Sequence, residues 1–444
     1  MAEKLLVRAY DVGLGDCIYV RIPDNGSEFH MLVDCGTLGE RDLLRAAFEN
    51  LKTMLPVSED DSSKRRLDLL VITHRHKDHI IGAGMDIFDD IDVKHIWLSA
   101  AMDKSHKQAE GLQNFSANVQ SALKALDRRG LSPALNEMVA AAAYPYEDET
   151  EALEGGLGVE PKYVHASTPA EDRAFNLQET SIQVIAPEKD IDGYYLGDIE
   201  DGGTGFSLTR STGLTEFSAE FARPTGAAEA IPTTISLGDF QRLRSRMMYN
   251  ALAFAYADNS FRNNTSVVLL VEWRGKRLLF TGDAEWHGAY KKGKQNGSWN
   301  VMWKKRKHKL NGRLDFLKVG HHGSENATPW NPAKADHEVN EILDSILPVG
   351  EAGETFAIVS TQRANYASIP GVELVRELGR RVSNVKTYSQ ELSQDQKDSL
   401  RVENPARYAI EETTLPHPQP ERTDFEAQLS GENYVDVEIE GEGG

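Results

Sequence analysis

The apolar run Leu67 to Thr73 leads directly into His74-Arg75-His76-Lys77-Asp78-His79. A run of that kind reads as a strand covered on both faces, so the fold has to be layered, with material packed above and below it. Three imidazoles and a carboxylate within six residues at the end of such a strand can converge on one point. His74 and His76 alternate with basic residues and face one side, while Asp78 and His79 face an adjacent point. A tetrahedral divalent cation needs three or four such ligands, so the run supplies nearly enough for two. The bland alternative is a polar loop rich in histidine, and the position at the end of a buried strand argues against it.

Two later segments repeat the arrangement. Leu278-Leu279-Phe280-Thr281-Gly282-Asp283 is an apolar strand ending in a carboxylate suited to bridging two cations. Leu317-Lys318-Val319-Gly320-His321-His322-Gly323-Ser324 is a strand delivering two imidazoles. Each alone is weak, because Asp and His at strand ends often cap turns. Together they give one pattern three times, buried strand and then ligand.

The rest of the chain is read around these segments. Leu5 to Tyr10, Cys17 to Ile22 and Phe29 to Val33 read as strands, with a hairpin turn at Pro23-Asp24-Asn25-Gly26. Glu40 to Leu55 has helical spacing at Leu43, Leu44, Ala47, Phe48 and Leu51. Further strands are predicted at Thr180 to Pro187, Ser266 to Glu272, Arg277 to Thr281, Leu314 to Val319 and Phe356 to Ser360, and a helix at Val372 to Arg381. The organisation predicted is a first core half at 1–98, a helical insertion and linker at 99–179, and a core strand at 180–190. A second insertion at 191–262, placed as a lid and containing a helix around Phe240 to Ala257, precedes the second core half at 263–387. A C-terminal extension at 388–444 follows. The acidic, glycine-rich stretch Tyr144 to Gly158 reads as a solvated linker. From Glu411 onward ten acids stand against one Arg, which predicts a largely disordered tail, with Tyr434 to Ile439 alternating like a final strand.

Composition narrows the functional classes. Among 444 residues there are two cysteines, Cys17 and Cys35, which excludes a disulfide scaffold and fits a reducing compartment. No apolar run approaches the ~20 residues of a membrane helix, and the start of the chain lacks a secretory layout. A cytoplasmic protein without a membrane partner is the expectation. A net charge of −20 excludes a globally basic nucleic-acid coat but leaves room for a local basic patch.

With those residues in place, the chain resembles metallo-β-lactamase-fold hydrolases, whose H-x-H-x-D-H motif it carries at His74 to His79. More narrowly it resembles the hydrolase domain of the competence protein ComEC and its free-standing relatives. The matching blocks are Asp11-Val12-Gly13-Leu14-Gly15-Asp16, Leu32-Val33-Asp34-Cys35-Gly36, Asn264-Thr265-Ser266-Val267-Val268-Leu269, Phe280-Thr281-Gly282-Asp283-Ala284-Glu285 and His321-His322-Gly323-Ser324. The resemblance implies an α/β fold, a four-layer αββα sandwich, here with two insertions and an acidic C-terminal tail. It implies metal ligation by His74, His76, Asp78 and His79 with Asp283 bridging. His321 or His322 would complete a metal or donate a proton, so Asp78, His321 and His322 are the catalytic candidates and His321 joins the expected ligands. Asp16 and Asp34 would support the ligands from behind. Two divalent cations are implied; Zn²⁺ is favoured, and the oxygen-rich second set also admits Mn²⁺. Two departures stand out: Ser360 occupies the place of a final His in many members, and the turn Ala364 to Pro370 lacks the His of the ComEC pattern.

A two-metal site suits phosphodiesters, but also lactones and thioesters. Between Asp283 and His321, the stretch Lys291 to Leu310 carries seven Lys, one Arg and His308 without an acid, and Lys304-Lys305-Arg306-Lys307 is its densest part. In an acidic chain that run reads as a phosphate-holding mouth, with Trp299 and Trp303 beside it to stack bases. The expected activity is that of a phosphodiesterase or nuclease acting on nucleic acid or a nucleotide. The alternatives are hydrolysis of a small carbonyl substrate and a regulatory module that keeps its metal for structure. The insertions and the acidic tail are where a protein partner would dock.

Overall fold

The computed structural model describes residues 3–39, 41–124, 139, 143–168, 175–197, 255, 257–330, 338–349, 355–361, 369–382, 384–387 and 433–442. Among the described residues the strands are β1 (Lys4–Tyr10), β2 (Ile18–Asp24), β3 (Ser27–Val33), β4 (Arg65–Leu67), β5 (Leu69–Ile72), β6 (Ile91–Val93), β7 (Ile96–Ser99), β8 (Lys162–Val164), β9 (Thr180–Ala186), β10 (Val268–Trp273), β11 (Lys276–Phe280), β12 (Phe316–Val319), β13 (Phe356–Val359), β14 (Asn384–Thr387) and β15 (Tyr434–Glu440). Seven of them form one sheet in the order β15-β1-β2-β3-β5-β7-β8, and six form a second in the order β14-β13-β12-β11-β10-β9. Each sheet is mixed: hairpin-connected antiparallel strands continue into parallel ones at β3–β5 and at β11–β12.

Alternation along the strands explains the layering. Leu5, Val7 and Ala9 of β1 and Leu269, Val271 and Trp273 of β10 share one buried cluster between the sheets. Leu6 and Tyr10 face the other way, onto the helix Arg41–Met54, which offers Leu44, Ala47, Phe48 and Leu51 at helical spacing. Val268 and Leu270 face outward from the second sheet onto Trp299 and Met302 of helix Ser298–Leu310, Ile342 and Leu343 of helix Glu338–Ile346, and Leu374 and Leu378 of helix Val372–Arg381. The result is a four-layer αββα sandwich. A further cluster joins Leu112, Phe115 and Val119 of helix Glu110–Lys124 to Ile191, Tyr195 and Phe261, so the segments on either side of β8 and β9 pack together.

Two local expectations change. The run Leu67 to Thr73 is not one strand: Asp68 donates its amide to the His30 carbonyl at 3.0 Å and accepts the His30 amide at 2.8 Å. That exchange turns the chain, leaving β4 with β6 in a small two-stranded sheet while β5 joins β3. The stretch Tyr144 to Gly158 is no solvated linker, because Tyr146 and Leu153 are buried in the outer core and Glu149 is buried beside them. The alternation at Tyr434 to Ile439 is borne out: it forms β15, which pairs antiparallel with the whole of β1 from Lys4↔Glu440 to Tyr10↔Tyr434. The body of the second insertion (198–254, with most of the Phe240 to Ala257 helix), the turn residues 362–368 and the acidic stretch 391–432 lie outside the described residues. Among the described residues, no helix is long and apolar enough to cross a membrane.

Candidate metal centre

The C-terminal ends of β5, β11 and β12 meet at one edge of the sandwich. The Val267 amide bonds the Thr73 carbonyl at 2.9 Å and ties the two sheets together there. Gly282, with φ of +51°, lets the strands close in: a Cβ at that position would lie 2.9 Å from the Cβ atoms of Thr73 and Ser266. Gly36 does the same on the other side, since a Cβ there would sit 2.1 Å from the backbone of Asp78 and His79. Backbone bonds Asp16 N to Asp78 O at 2.9 Å and Cys35 N to His79 O at 2.8 Å hold that ligand turn in place.

Two ligand sets form at this edge, His74 with His76 and Asp283, and Asp78 with His79, Asp283 and His322, each with its ligand atoms within 4.8 Å of one another. Asp283 belongs to both, the position of a bridge. The other ring nitrogens are already committed. Thr73 Oγ1 donates to Asp34 Oδ2 at 2.8 Å, so its oxygen is left to accept from His74 Nδ1 at 3.0 Å. Asp34 Oδ2 accepts from His79 Nδ1 at 2.8 Å, and the Ser360 carbonyl accepts from His322 Nδ1 at 2.9 Å. In each of these three rings Nδ1 is the committed nitrogen and Nε2 is the one directed inward, where a cation would take the place of any proton it carries. His74 Nε2 and His76 Nδ1 face each other at 2.9 Å, and His79 Nε2 lies 3.2 Å from Asp283 Oδ2. His76 Nε2 and His79 Nε2 are buried without a hydrogen-bond partner. Buried nitrogen and carboxylate groups that satisfy one another so incompletely fit divalent cations.

The electrostatics agree with ligation. Burial holds His76 down at about 3 and His74 well below the usual imidazole value, helped by neighbouring histidine charges at His74, so both rings are neutral donors. Burial alone would raise Asp283 and Asp78, but His79 pulls both below the usual carboxylate range, with His322 adding to the effect at Asp78. Both stay ionised. His79 goes the other way: burial would lower it, and the charges of Asp283, Asp34 and Asp78 raise it well above the ordinary value. That attraction for positive charge is what a cation would satisfy.

The structure gathers His74, His76, Asp78, His79 and Asp283 and sorts the remaining candidates. His322 reaches the cluster, with Nε2 2.8 Å from Asp78 Oδ2. His321, expected as a ligand, does not join it. Its ring turns to Glu285 at 3.3 Å, while its own amide donates to Asp283 Oδ1 at 2.8 Å. Positive φ at both residues, 43° and 51°, makes the turn that separates the two rings. Asp34 contacts His79 directly, whereas Asp16 lies 3.9 Å from His79 Nδ1 and is engaged by buried Lys318 Nζ at 2.6 Å.

The basic run stands apart from the cluster. Helix Ser298–Leu310 starts at the metal edge, where Ser298 N bonds Asn264 Oδ1 at 2.6 Å, and runs back along β11, where Arg277 at the far end of that strand bonds the Lys309 carbonyl. Lys304, Lys305, Arg306 and Lys307 thus lie on the half directed away from the cluster. Arg306 is paired with Glu188, Lys307 meets Glu341 at 2.6 Å, and Trp299 and Trp303 are buried in the core with no face free to stack a base.

Sequence reasoning missed several supports: Thr73, the Ser360 carbonyl, Gly36, Glu285 and Lys318. Lys318 left a signal of its own, a lysine inside an otherwise apolar strand, and Gly36 and Glu285 lie in the matching blocks without their roles being legible there. Glu285 is buried and accepts from Ser260, Asn263 and Asn264 at 2.7, 2.8 and 3.0 Å while facing His321.

No curated protein matches the chain. Residues 10–172, the stretch that holds Asp16, Asp34 and the His74 to His79 run, match the family model of the metallo-beta-lactamase superfamily, a superfamily of metal-dependent hydrolases.

Proposed function

We propose that this protein is a two-metal phosphodiesterase acting on nucleic acid or a nucleotide. The observation that carries the reading is the sharing of Asp283 between two ligand sets, His74 with His76 and Asp78 with His79 and His322. Paired sites of this kind hold the attacking and leaving oxygens of an in-line displacement at phosphorus. When bound, the two cations supply Lewis acidity, lowering the pKa of water and neutralising charge that builds on the phosphoryl oxygens. Zinc suits the nitrogen-rich set, and the set containing Asp78 also suits manganese.

The chain's own groups supply the rest. Asp34 fixes His79 and, through Thr73, His74, so the inward nitrogens need no reorientation during turnover. His321 is only part-buried, sits beside Asp283 through its amide and is backed by Glu285, which suits it to hand a proton to the leaving oxygen. Phosphodiesters are favoured over lactones and thioesters by the cavity that shares the His74 wall, because Arg75, Lys104 and Arg262 line it. The narrower likeness to ComEC hydrolase domains is supported by the blocks around Asp16, Asp34, Asn264, Asp283 and His321, and it agrees with a nucleic-acid substrate.

The test is a digest of single-stranded DNA, duplex DNA, RNA and cyclic dinucleotides by the metal-loaded protein, run beside a lactone and a thioester. Phosphodiester cleavage that vanishes in Asp283→Ala is the expected result. Carbonyl hydrolysis without phosphodiester cleavage would overturn the reading.

A further inference from the structure

Beside the metal cluster lies a cavity of about 310 Å³ whose wall includes His74, Arg75, Lys104, Gln113, Tyr146 and Arg262. Three cations line it, and among the described residues no carboxylate does. In a chain of net charge −20 that local excess is unusual. The three cations are not equivalent. Lys104 is mostly exposed and meets Glu154 at 3.1 Å, so solvent and a counter-ion already screen it. Arg262 is buried against Asp258 at 2.8 Å and donates to the Arg75 carbonyl at 3.1 Å.

Arg75 is different. Its Nη2 donates to Thr150 Oγ1 at 2.8 Å, its Nε is buried without a partner, and among the described residues no carboxylate lies within ion-pair reach. The Tyr146 ring lies 5.4 Å from the Arg75 guanidinium and 5.7 Å from that of Arg262, which favours cations but neutralises neither. A half-buried guanidinium with an unpartnered Nε and no anion beside it gains when an anion enters. The guanidinium fork matches the oxygens of a phosphate.

We propose that this cavity is a subsite for a second phosphate of the substrate, adjacent to the scissile one, with Arg75 as its main ligand and Arg262 and Lys104 in support. The proposal rests on the phosphodiesterase reading and narrows it to substrates carrying at least two neighbouring phosphates. Both an oligonucleotide and a nucleotide with a terminal phosphate have that chemistry.

The experiment compares metal-loaded wild type with Arg75→Gln, Arg75→Lys and Asn114→Asp. The last places a negative charge on an exposed residue of the cavity wall that touches no proposed ligand. The substrates are bis(p-nitrophenyl) phosphate, a thymidine dinucleotide, and the same dinucleotide with a 5′- or a 3′-terminal phosphate. Wild type should prefer a doubly phosphorylated dinucleotide. Arg75→Gln should raise KM for it roughly tenfold or more, leave kcat within about twofold, and leave KM for bis(p-nitrophenyl) phosphate unchanged. Arg75→Lys should recover part of the loss, and Asn114→Asp should raise KM several-fold for the same substrate alone. Whether the 5′ or the 3′ phosphate, or an internal one in a longer oligomer, gives the advantage separates the two substrate forms. Equal changes for all substrates, or no advantage from the extra phosphate in wild type, would overturn the subsite. If no phosphodiester is cleaved, the phosphodiesterase reading fails separately. Calorimetry with inorganic pyrophosphate then decides the subsite: weaker binding to Arg75→Gln and Asn114→Asp supports it, and unchanged binding rejects it.

Discussion

Asp34→Asn replaces one carboxylate oxygen by an amide nitrogen and should disable one metal set. In the native protein Asp34 Oδ1 accepts from Thr73 N at 2.7 Å, and Oδ2 accepts from Thr73 Oγ1 and His79 Nδ1, both at 2.8 Å. In the variant the side-chain amide oxygen has to stay on Thr73 N, because that backbone donor has no other acceptor. The new NH₂ group then faces Thr73 Oγ1 and His79 Nδ1. Thr73 can rotate its hydroxyl, but His79 can accept only by moving its own proton to Nε2, the atom directed at Asp283. A protonated Nε2 cannot ligate. Loss of such a supporting carboxylate typically costs 10–100-fold in metal affinity, or about 1.4–2.7 kcal/mol.

The assay is competition for Zn²⁺ and Mn²⁺ against a chromophoric chelator, followed by activity at saturating metal. The set containing Asp78, His79 and His322 should weaken by that factor, while the His74 and His76 set, which feels Asp34 only through Thr73, should weaken less. Wild-type affinity at both sites in a folded Asp34→Asn protein would refute the reasoning.

Three further outcomes follow from the same structure. Lys318→Met strands the buried Asp16 carboxylate and should cost about 3–5 kcal/mol in chemical denaturation, with the double change Lys318→Met, Asp16→Asn recovering much of it. His30 is held down at about 4, chiefly by burial and then by Arg66 and Arg21, against about 6.5 in the unfolded chain. The unfolded chain takes up a proton that the folded ring refuses, so stability is full above pH ~6.5, falls as pH drops, and levels off below pH ~4. The loss should be roughly 3 kcal/mol and should shrink in His30→Gln, as read from denaturation midpoints across that window. Lys304→Gln with Lys305→Gln should leave KM for an oligonucleotide within about twofold, because their half of the helix is directed away from the cluster; a KM raised tenfold with a shallower salt dependence would restore the basic mouth.

The elements that read clearly from sequence are those where chemistry and periodicity act locally. Ligand residue types at the ends of apolar strands marked His74, His76, Asp78, His79 and Asp283, and helical spacing marked Arg41–Met54. What failed depended on tertiary partners. Asp68 splits an apolar run because it exchanges hydrogen bonds with the His30 backbone, 38 residues away in sequence. His321 and His322 are neighbours of identical type, and only the positive-φ turn decides which ring enters the cluster. The lysines of helix Ser298–Leu310 stand between two site segments in sequence, yet the helix direction carries them away. Tyr146 lies in an acidic, glycine-rich stretch and is buried all the same, because two arginines and an apolar wall receive it.

The most direct test of the central claim is the metal content of the purified protein, measured by mass spectrometry of the bound elements in wild type, Asp283→Ala and the double mutant His74→Ala, His76→Ala. The shared-Asp283 site predicts about two divalent ions per chain in wild type. It predicts loss from both sets in Asp283→Ala, and loss of one ion in the double mutant, which keeps Asp78, His79 and His322. Two ions retained by a folded Asp283→Ala protein, or no divalent ion bound by wild type when metal is supplied, would contradict it.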